Sequence, residues 1–283
     1  MLSLESWPLA DRRRITGVFT DIDDTLTTHG AITPDALDAL GALKAAGLHV
    51  IPITGRSVGW SVPFAQGDAA LGLAPWPVDV IVAENGAVAL FRGENDLQPA
   101  SHIHSQLLKI YQQDAATRAT NFARMQQVAQ RVLREVPGAQ VSQDSAGRET
   151  DIAFDHSEFT HLSAEKIAQA VHIMQAEGMT ATVSSIHING WYGAHNKLAG
   201  ARWIVRELFG RDLDAEIAHW VYVGDSTNDQ LIFAHFPHSF GVANIRRFEA
   251  ALAHKPRYIT QGERGAGFAE VARAILQSKT ALA

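Results

Sequence analysis

Short apolar and β-branched runs alternate with stretches of helical periodicity in the first ninety or so residues, and this order is typical of a parallel sheet covered by helices. The runs over 15–20, 48–54 and 78–83 predict buried strands. Leucines recur at helical spacing between the first two runs. A helix is therefore predicted to start after Thr33 and to end at Gly47.

Two local signals refine this part of the sheet. Pro52 lies inside the second run, and because proline cannot donate to a strand ladder it disfavours a fully paired central position. Glu84-Asn85-Gly86 follows the third run and predicts a turn that opens a hairpin.

The pattern changes after about residue 90. The predicted order is then a helix, two strands around a turn, a second helix and one further strand, over residues 101–135, 139–143, 150–154, 164–177 and 180–188. A segment with this order is sufficient for a small α+β domain.

The first pattern returns from His195, with a helix that ends at Gly210, strands over 219–225, 239–243 and 257–260, and a last helix from Gly267. The predicted fold class is therefore α/β, with a Rossmann-like parallel-sheet core and an inserted α+β domain. We expect the core to comprise residues 1–88 and 191–283 and the insertion to comprise residues 89–190. Ligands of such sheets bind outside the carboxyl ends of the strands, so the chemistry is expected there.

Composition narrows the class of protein. The chain has 283 residues, 46% hydrophobic and 19% charged, which is typical of a globular protein of one or two domains. A net charge of −6, without any Lys/Arg-rich run, argues against nucleic acid as the main partner. No apolar run reaches the ~20 residues that span a membrane, and the N-terminus lacks the pattern of a secretory signal, so a cytoplasmic location is expected. The chain has no cysteine, which excludes thiol nucleophiles and disulfides.

Acidic residues follow several of the predicted strands. The strand ends read Asp21-Ile22-Asp23-Asp24-Thr25-Leu26, Thr54-Gly55-Arg56 and Gly224-Asp225-Ser226-Thr227-Asn228-Asp229. Carboxylates gathered at one sheet edge repel each other, and a hard divalent cation such as Mg²⁺ relieves that repulsion. A calcium loop starting at Asp21 is excluded, because it needs Gly and Glu where this chain has Leu26 and Ile32.

Taken together, these motifs resemble those of the haloacid dehalogenase superfamily, and in particular its Cof-like and sucrose-phosphate-phosphatase-like group, over nearly the whole chain. The motifs, in order along the chain, are Asp21-x-Asp23-x-Thr25-Leu26, Thr54-Gly55-Arg56, Lys197 at the start of a helix, and Gly224-Asp225-x-x-Asn228-Asp229, with Asn85-Gly86-Ala87 as a further match. Asp24 stands where glycine is common in the wider superfamily. The resemblance implies a Mg²⁺-dependent phosphatase that acts through an aspartyl-phosphate, with the insertion as a cap over the site.

The resemblance also implies a role for each matching residue. Asp21 is expected to be the nucleophile, and Asp23 is expected to be the general acid and base. The residues expected to contact the phosphoryl group or the substrate are Thr54, Gly55, Arg56, Lys197 and Asn228. The residues expected to hold Mg²⁺ are Asp21, Asp23 through its backbone carbonyl, Asp225 and Asp229.

Substrate choice is expected to lie in the inserted domain, since the core motifs address only the phosphoryl group. The candidates there are Arg148, His187, Asn189 and Tyr192. By resemblance, the substrate is a small-molecule phosphate ester such as a sugar phosphate or a phosphorylated glycoside, and the oligomeric state stays open.

Three other interpretations remain. Gly55-Arg56-Ser57-Val58-Gly59 matches the nucleophile elbow of serine-dependent α/β-hydrolases, with Asp225 and His254 in the order of a triad, although Ser57 is more simply explained as a helix N-cap. A phosphosugar mutase of the same superfamily would return the phosphoryl group to sugar. A binding protein would keep the fold without the chemistry.

Overall fold

Six parallel strands form the central sheet of the protein, whose computed structural model describes residues 1–93 and 106–280. The strands are β1 (Leu2–Ser3), β2 (Gly17–Thr20), β3 (Thr27–Thr28), β4 (Ala31–Ile32), β5 (His49–Pro52), β6 (Ile81–Ala83), β7 (Val88–Arg92), β8 (Leu107–Tyr111), β9 (Gln140–Val141), β10 (Ile152–Asp155), β11 (Thr180–Val183), β12 (His187–Trp191), β13 (Trp220–Gly224), β14 (Ser239–Gly241) and β15 (Tyr258–Ile259). The α-helices are α1 (Leu9–Arg14), α2 (Pro34–Ala45), α3 (Val58–Gln66), α4 (Ala115–Glu135), α5 (Ala164–Ala176), α6 (Lys197–Phe209), α7 (Gln230–His235) and α8 (Arg264–Thr280).

The central sheet has the strand order β1-β15-β14-β13-β2-β5, and all its pairings are parallel. Successive residues of β2 point to opposite faces of the sheet. Val18 packs into the apolar layer that includes α2 and α8, whereas Phe19 packs into the layer that includes α6. The α/β class predicted from the sequence is therefore confirmed, with apolar layers on both faces.

Strand β5 lies at the edge of this six-stranded ladder, as Pro52 predicted. Beyond it, a single bridge between Ile53 and Val82 connects to the antiparallel sheet β6-β7-β8. The predicted hairpin after β6 is confirmed, because β7 turns back at Glu84–Gly86 and pairs with β6.

A separate antiparallel sheet with the order β11-β12-β10-β9 is covered by α4 and α5. Its apolar layer includes Met125, Phe154 and Ile188, all fully buried. We refer to residues 115–191, which contain these elements, as the cap. The predicted α+β character of this part of the chain is confirmed.

Two predictions in the middle of the chain were wrong. The helix predicted over 101–135 exists only as α4, because residues 107–111 form β8; residues 101–105 lie outside the described part of the chain. The strand predicted over 180–188 is a hairpin of two strands, β11 and β12.

The limits predicted for the insertion fall near β7 and β8. These strands pair with β6, and Phe91 and Ile110 pack against the apolar layer that contains α6. The predicted first residue of the insertion, residue 89, lies inside β7, which pairs with β6 of the core. The start of the insertion therefore stays a prediction.

The cap and the core approach closely at two glycines. A Cβ atom on Gly59, in α3, would lie 2.8 Å from the Cα of Gly147 in the cap, and a Cβ on Gly147 would lie 2.7 Å from the Cα of Gly59. No ordinary side chain fits at either position without a shift of the backbone. Among the described residues, no helix is both long enough and apolar enough to cross a bilayer.

Candidate active site

The carboxyl ends of β2 and β13 bring two aspartates side by side. Thr20 pairs with Val223 in parallel register, and the Asp21 amide donates to the Val223 carbonyl at 2.8 Å. Asp21 and Asp225 therefore follow adjacent strands at the same edge of the sheet, as the sequence predicted.

Asp21, Asp225 and Asp229 form a buried acidic cluster in which each residue offers a carboxylate oxygen within 4.8 Å of the others. Asp225 and Asp229 are fully buried. The motif glycine before them has a steric reason: a Cβ on Gly224 would lie only 2.4 Å from Oδ2 of Asp229.

Lys197 lies at the first position of α6 and is almost fully buried. Its Nζ atom lies 2.8 Å from Oδ1 of Asp21 and 2.7 Å from Oδ1 of Asp229. These contacts compensate the burial of the ammonium, because the two carboxylates raise the pKa of Lys197 although burial alone would lower it. One buried cation therefore serves two of the three aspartates.

The charge of the cluster is nevertheless not balanced. Burial raises the pKa of Asp21 to about 7, against the opposing effect of Lys197. Burial raises the pKa of Asp225 well above its usual value, and the charges of Asp21 and Asp229 raise it further. Oδ1 of Asp225 has no hydrogen-bond partner within the described residues. A buried carboxylate oxygen without a partner and an excess of negative charge both fit a divalent cation.

Asp229 differs from the other two aspartates because both of its oxygens are engaged. Oδ1 accepts from Lys197 and from the hydroxyl of Tyr222, and Oδ2 accepts from the amides of Asp225 and Ser226 at 3.0 and 3.2 Å. Asp229 is therefore held by protein donors. Asn228 is half-buried, and its Oδ1 accepts from the Ser226 hydroxyl at 3.0 Å.

Thr54, at the end of the β5 segment, is fully buried beside the cluster's edge of the sheet. Its hydroxyl oxygen accepts from the Arg56 amide at 3.0 Å, which leaves the O–H free to donate. The Gly55 carbonyl accepts from Nη1 of Arg148 at 3.0 Å and from Nδ2 of Asn189 at 3.2 Å. Gly55 is thus a contact between the core and the cap.

The carboxylate of Asp23 does not join the acidic cluster but binds Arg56. Nε of Arg56 lies 3.0 and 2.9 Å from the two oxygens of Asp23, and Nη2 lies 2.8 Å from Oδ1. The rest of the guanidinium binds Glu158 of the cap. Arg56 is thus shared between a residue of the first motif and a residue of the cap.

A cavity of about 870 Å³ opens next to Asp23 and Arg56, between the core and the cap. Its lining residues from the cap are His156, Ser157, Glu158, Phe159, Ser185 and Ile186. The core side includes Trp60, Phe248 and Arg264. The cavity is therefore adjacent to the candidate acid and base and has room for a small molecule.

The four cap candidates lie elsewhere: as far as the structure describes the chain, none of them lines this cavity. The Tyr192 hydroxyl donates to the Glu177 carbonyl at 3.1 Å. Arg148 is buried and binds Asp144 at 3.0 Å and Asp151 at 2.7 Å. Nδ2 of Asn189 binds Asp151 at 3.0 Å, and His187 binds Glu158 at 2.9 Å. These side chains connect the cap to itself and to Gly55.

Two residues near the site were missed by sequence reasoning. Glu158 gave no signal, because a single glutamate in a loop is common. Glu84 was read only as part of a turn, yet its carboxylate accepts from the amides of Val58, Glu149 and Thr150 at 3.0, 3.0 and 2.6 Å. Burial raises the pKa of Glu84 to about 7. The sequence signal for this position is the predicted turn at Glu84–Gly86. In the structure Glu84 adopts the left-handed backbone of that turn, with a φ of +49°.

The alternative nucleophile Ser57 is fully buried and caps α3, with its hydroxyl oxygen accepting from the Trp60 amide at 3.0 Å. Its proposed triad partner His254 is exposed. This arrangement favours the helix-cap interpretation of Ser57 over the nucleophile elbow.

Both the sequence and the fold of this chain are similar to those of known proteins. The sequence profile described as haloacid dehalogenase-like hydrolase matches residues 18–261. No curated protein sequence matches the chain. Two of the similar solved structures are a sucrose-phosphatase from Synechocystis, determined with sucrose and phosphate (TM-score 0.62, 15% identity, 94% of this chain and 98% of that one), and a Plasmodium vivax protein assigned to the HAD/COF-like hydrolases (TM-score 0.64, 14% identity, 98% and 100%). A third is a sugar phosphatase of HAD subclass IIB (TM-score 0.57, 14% identity, 95% and 100%). At these identities the likeness to the three structures shows the fold.

Proposed function

This chain belongs to the haloacid dehalogenase-like hydrolases, and we propose on that basis that it is a Mg²⁺-dependent phosphatase. Its substrate is a small phosphate ester of the sugar phosphate or phosphorylated glycoside class, and the reaction proceeds through a phosphoryl group carried on Asp21. The solved structures that share its fold include sugar phosphatases, which supports this substrate class.

The observation that carries the proposal is the buried pair of Asp21 and Lys197 at the end of β2. A carboxylate can act as a nucleophile toward phosphorus, and a fixed ammonium beside it stabilises the negative charge of the transferring group. Thr54 adds a hydroxyl that can donate to a phosphoryl oxygen.

Asp21, Asp225 and the backbone carbonyl of Asp23 are the groups that would hold the Mg²⁺ ion, with Asp229 as a residue that positions Lys197 and the loop amides. When bound, the ion would neutralise the phosphoryl oxygens and the excess charge of the cluster. This assignment explains why, among the described residues, one oxygen of Asp225 has no partner, whereas both oxygens of Asp229 are used.

Asp23 moves the proton. A carboxylate oxygen of Asp21 attacks phosphorus, the bond to the leaving oxygen breaks, and that oxygen takes its proton from Asp23. A water molecule then gives a proton to Asp23 and attacks the phosphorus, which releases phosphate and restores Asp21. Nε of Arg56 contacts both carboxylate oxygens of Asp23 and so fixes the orientation of the group that gives and takes the proton.

The cap forms one side of the cavity beside Asp23 and Arg56, and we propose that it selects the leaving group and excludes water. The domain division that follows is a core with β1 to β8 and the elements from α6 onward, and a cap over residues 115–191. The cap residues that contact the leaving group are those that line the cavity beside Glu158, among them His156, Phe159 and Ile186, instead of Arg148 and Asn189.

A panel of sugar phosphates with Mg²⁺ tests this function. Release of inorganic phosphate, abolished by Asp21→Asn and preserved in Ser57→Ala on the folded protein, is the expected result. Isomerised sugar phosphate without free phosphate would identify a mutase. Turnover of an acyl ester that is lost only in Ser57→Ala would overturn the proposal, and binding without any product would favour a binding protein.

A further inference from the structure

Four side chains form a continuous line from the cap to the first motif of the core. Nε2 of His187 lies 2.9 Å from Oε2 of Glu158. The Glu158 carboxylate accepts hydrogen bonds from Nη1 and Nη2 of Arg56 at 3.1 and 2.6 Å. Arg56 in turn binds Asp23 with Nε and Nη2. All four side chains are at least four-fifths buried, so these contacts are little screened by water.

The backbone that carries Glu158 is held in place by one buried aspartate at the end of β10. Oδ1 of Asp155 accepts from the amides of Ser157 and Glu158 at 3.0 and 2.9 Å, and Oδ2 accepts from those of Phe159 and Thr160 at 2.8 and 3.1 Å. Four amide donors on one carboxylate fix this loop. The backbone that carries Glu158 is therefore fixed, and so is the position of its carboxylate.

The guanidinium of Arg56 has its nitrogens divided between two carboxylates from different parts of the protein. Within the part of the chain that the structure describes, Nε faces only Asp23, Nη1 faces only Glu158, and Nη2 contacts both. The planar fork matches such bidentate pairing, and the group also lies over the ring of Trp60 at 4.9 Å. Removing Glu158 would leave Nη1 without its partner and would allow the fork to turn.

We propose that Glu158 is a positioning residue, which fixes Asp23 through Arg56 when the cap lies on the core. The proposal rests on the proposed phosphatase function and extends it: the proton-transfer group of the core is held in its working orientation by a carboxylate of the cap. The contact exists only while the cap is seated, so Asp23 is fixed when the leaving group is enclosed.

The test uses two phosphate esters that differ in their need for a proton on the leaving oxygen. p-Nitrophenolate leaves without protonation, whereas the alkoxide of a sugar phosphate does not. The comparison uses kcat/KM, which covers the steps up to loss of the leaving group and not the later attack of water that both esters share. In Glu158→Ala we expect kcat/KM for a sugar phosphate to fall by about 10- to 100-fold and kcat/KM for p-nitrophenyl phosphate to change less than about twofold. Glu158→Gln, which keeps the volume of the side chain, replaces the alanine variant if that variant fails to fold.

A double-mutant cycle gives a second readout that loss of structure would not produce. In an Asp23→Asn background the Glu158→Ala change is expected to cause no further loss of kcat/KM for the sugar phosphate, because Glu158 acts only through Asp23. Glu165, an exposed glutamate at the start of α5, provides the matched control, and Glu165→Ala is expected to behave as wild type.

Equal losses of kcat/KM on both esters, or additive losses in the cycle, would overturn the role of Glu158 while leaving the phosphatase intact. A wild-type protein that hydrolyses neither ester with Mg²⁺ present would instead contradict the proposed function itself. The two failures are therefore distinguishable.

Discussion

Nζ of Lys197 lies 2.8 Å from Oδ1 of Asp21, and both side chains are at least nine-tenths buried. Replacing the lysine by methionine would leave Asp21 and Asp229 close together without their cation. We expect Lys197→Met to lower kcat/KM for phosphate release by about 10²- to 10³-fold, as for loss of one transition-state donor in other enzymes. Lys255→Met, at an exposed ion pair, is the control. Wild-type turnover in Lys197→Met would contradict the role assigned to the ammonium.

Mg²⁺ is expected to stabilise the folded protein, because the ion binds Asp225 and Asp21 only when the sheet edge is assembled. At about 100 times its dissociation constant, a ligand of the native state adds about 2.7 kcal/mol to the free energy of unfolding. Thermal unfolding followed by circular dichroism should therefore shift upward by several degrees with Mg²⁺ and return after chelation. Asp225→Asn should abolish the shift, whereas Asp212→Asn, at an exposed turn, should retain it. A shift that survives in Asp225→Asn would place the ion elsewhere.

Glu84 is expected to be a stability residue at the junction of core and cap. Glu84→Ala leaves the amides of Val58, Glu149 and Thr150 without their acceptor in a buried region. We expect the free energy of unfolding to fall by about 3 kcal/mol, measured by urea denaturation. Glu84→Gln keeps one acceptor oxygen and should cost less. Equal stability of the alanine variant and wild type would show that water replaces the carboxylate.

His195 is expected to weaken the fold in mild acid. Burial lowers its pKa to about 4, and neither ring nitrogen has a partner in the described part of the chain. The unfolded chain, with an ordinary histidine pKa near 6.5, binds the proton first as the pH falls below that value. Protons between about pH 6.5 and 4 therefore favour unfolding.

The His195→Phe variant isolates this contribution, because phenylalanine can keep the stacking on Trp191 without titrating. Between about pH 7.5 and 4.5, wild type should lose about 2 kcal/mol more unfolding free energy than the variant, as measured by urea denaturation at each pH. His254→Phe, at an exposed position, serves as the control. Parallel pH profiles for wild type and His195→Phe would show that the ring is hydrated in the native state.

The sequence predicted the core better than the cap, for a physical reason. Parallel strands end at one edge, so short motifs after β2 and β13 implied that Asp21 and Asp225 meet, and the amide of Asp21 does bind β13. The hairpin of β11 and β12 was missed because the turn at 184–186 contains no glycine or proline. The short run of β8 could equally begin a helix, since brief apolar runs do not separate the two periods.

Contacts made across the chain were beyond sequence reasoning. Arg148 was a substrate candidate because it lies next to the predicted turn at Gly147, but the structure buries it between Asp144 and Asp151. Glu158 acquires its meaning only from Arg56, which lies 102 residues earlier in the chain. No local pattern encodes such a pair.

The meeting of Gly59 and Gly147 limits how this protein can change over evolutionary time. Both positions already carry the smallest residue, so neither can shrink to accommodate growth in the other. Any descendant that keeps the cap and the core at this separation must keep glycine at both positions. A descendant that acquires a methyl group at either site would have to hold the cap farther from the core. The cavity between them would then admit larger substrates.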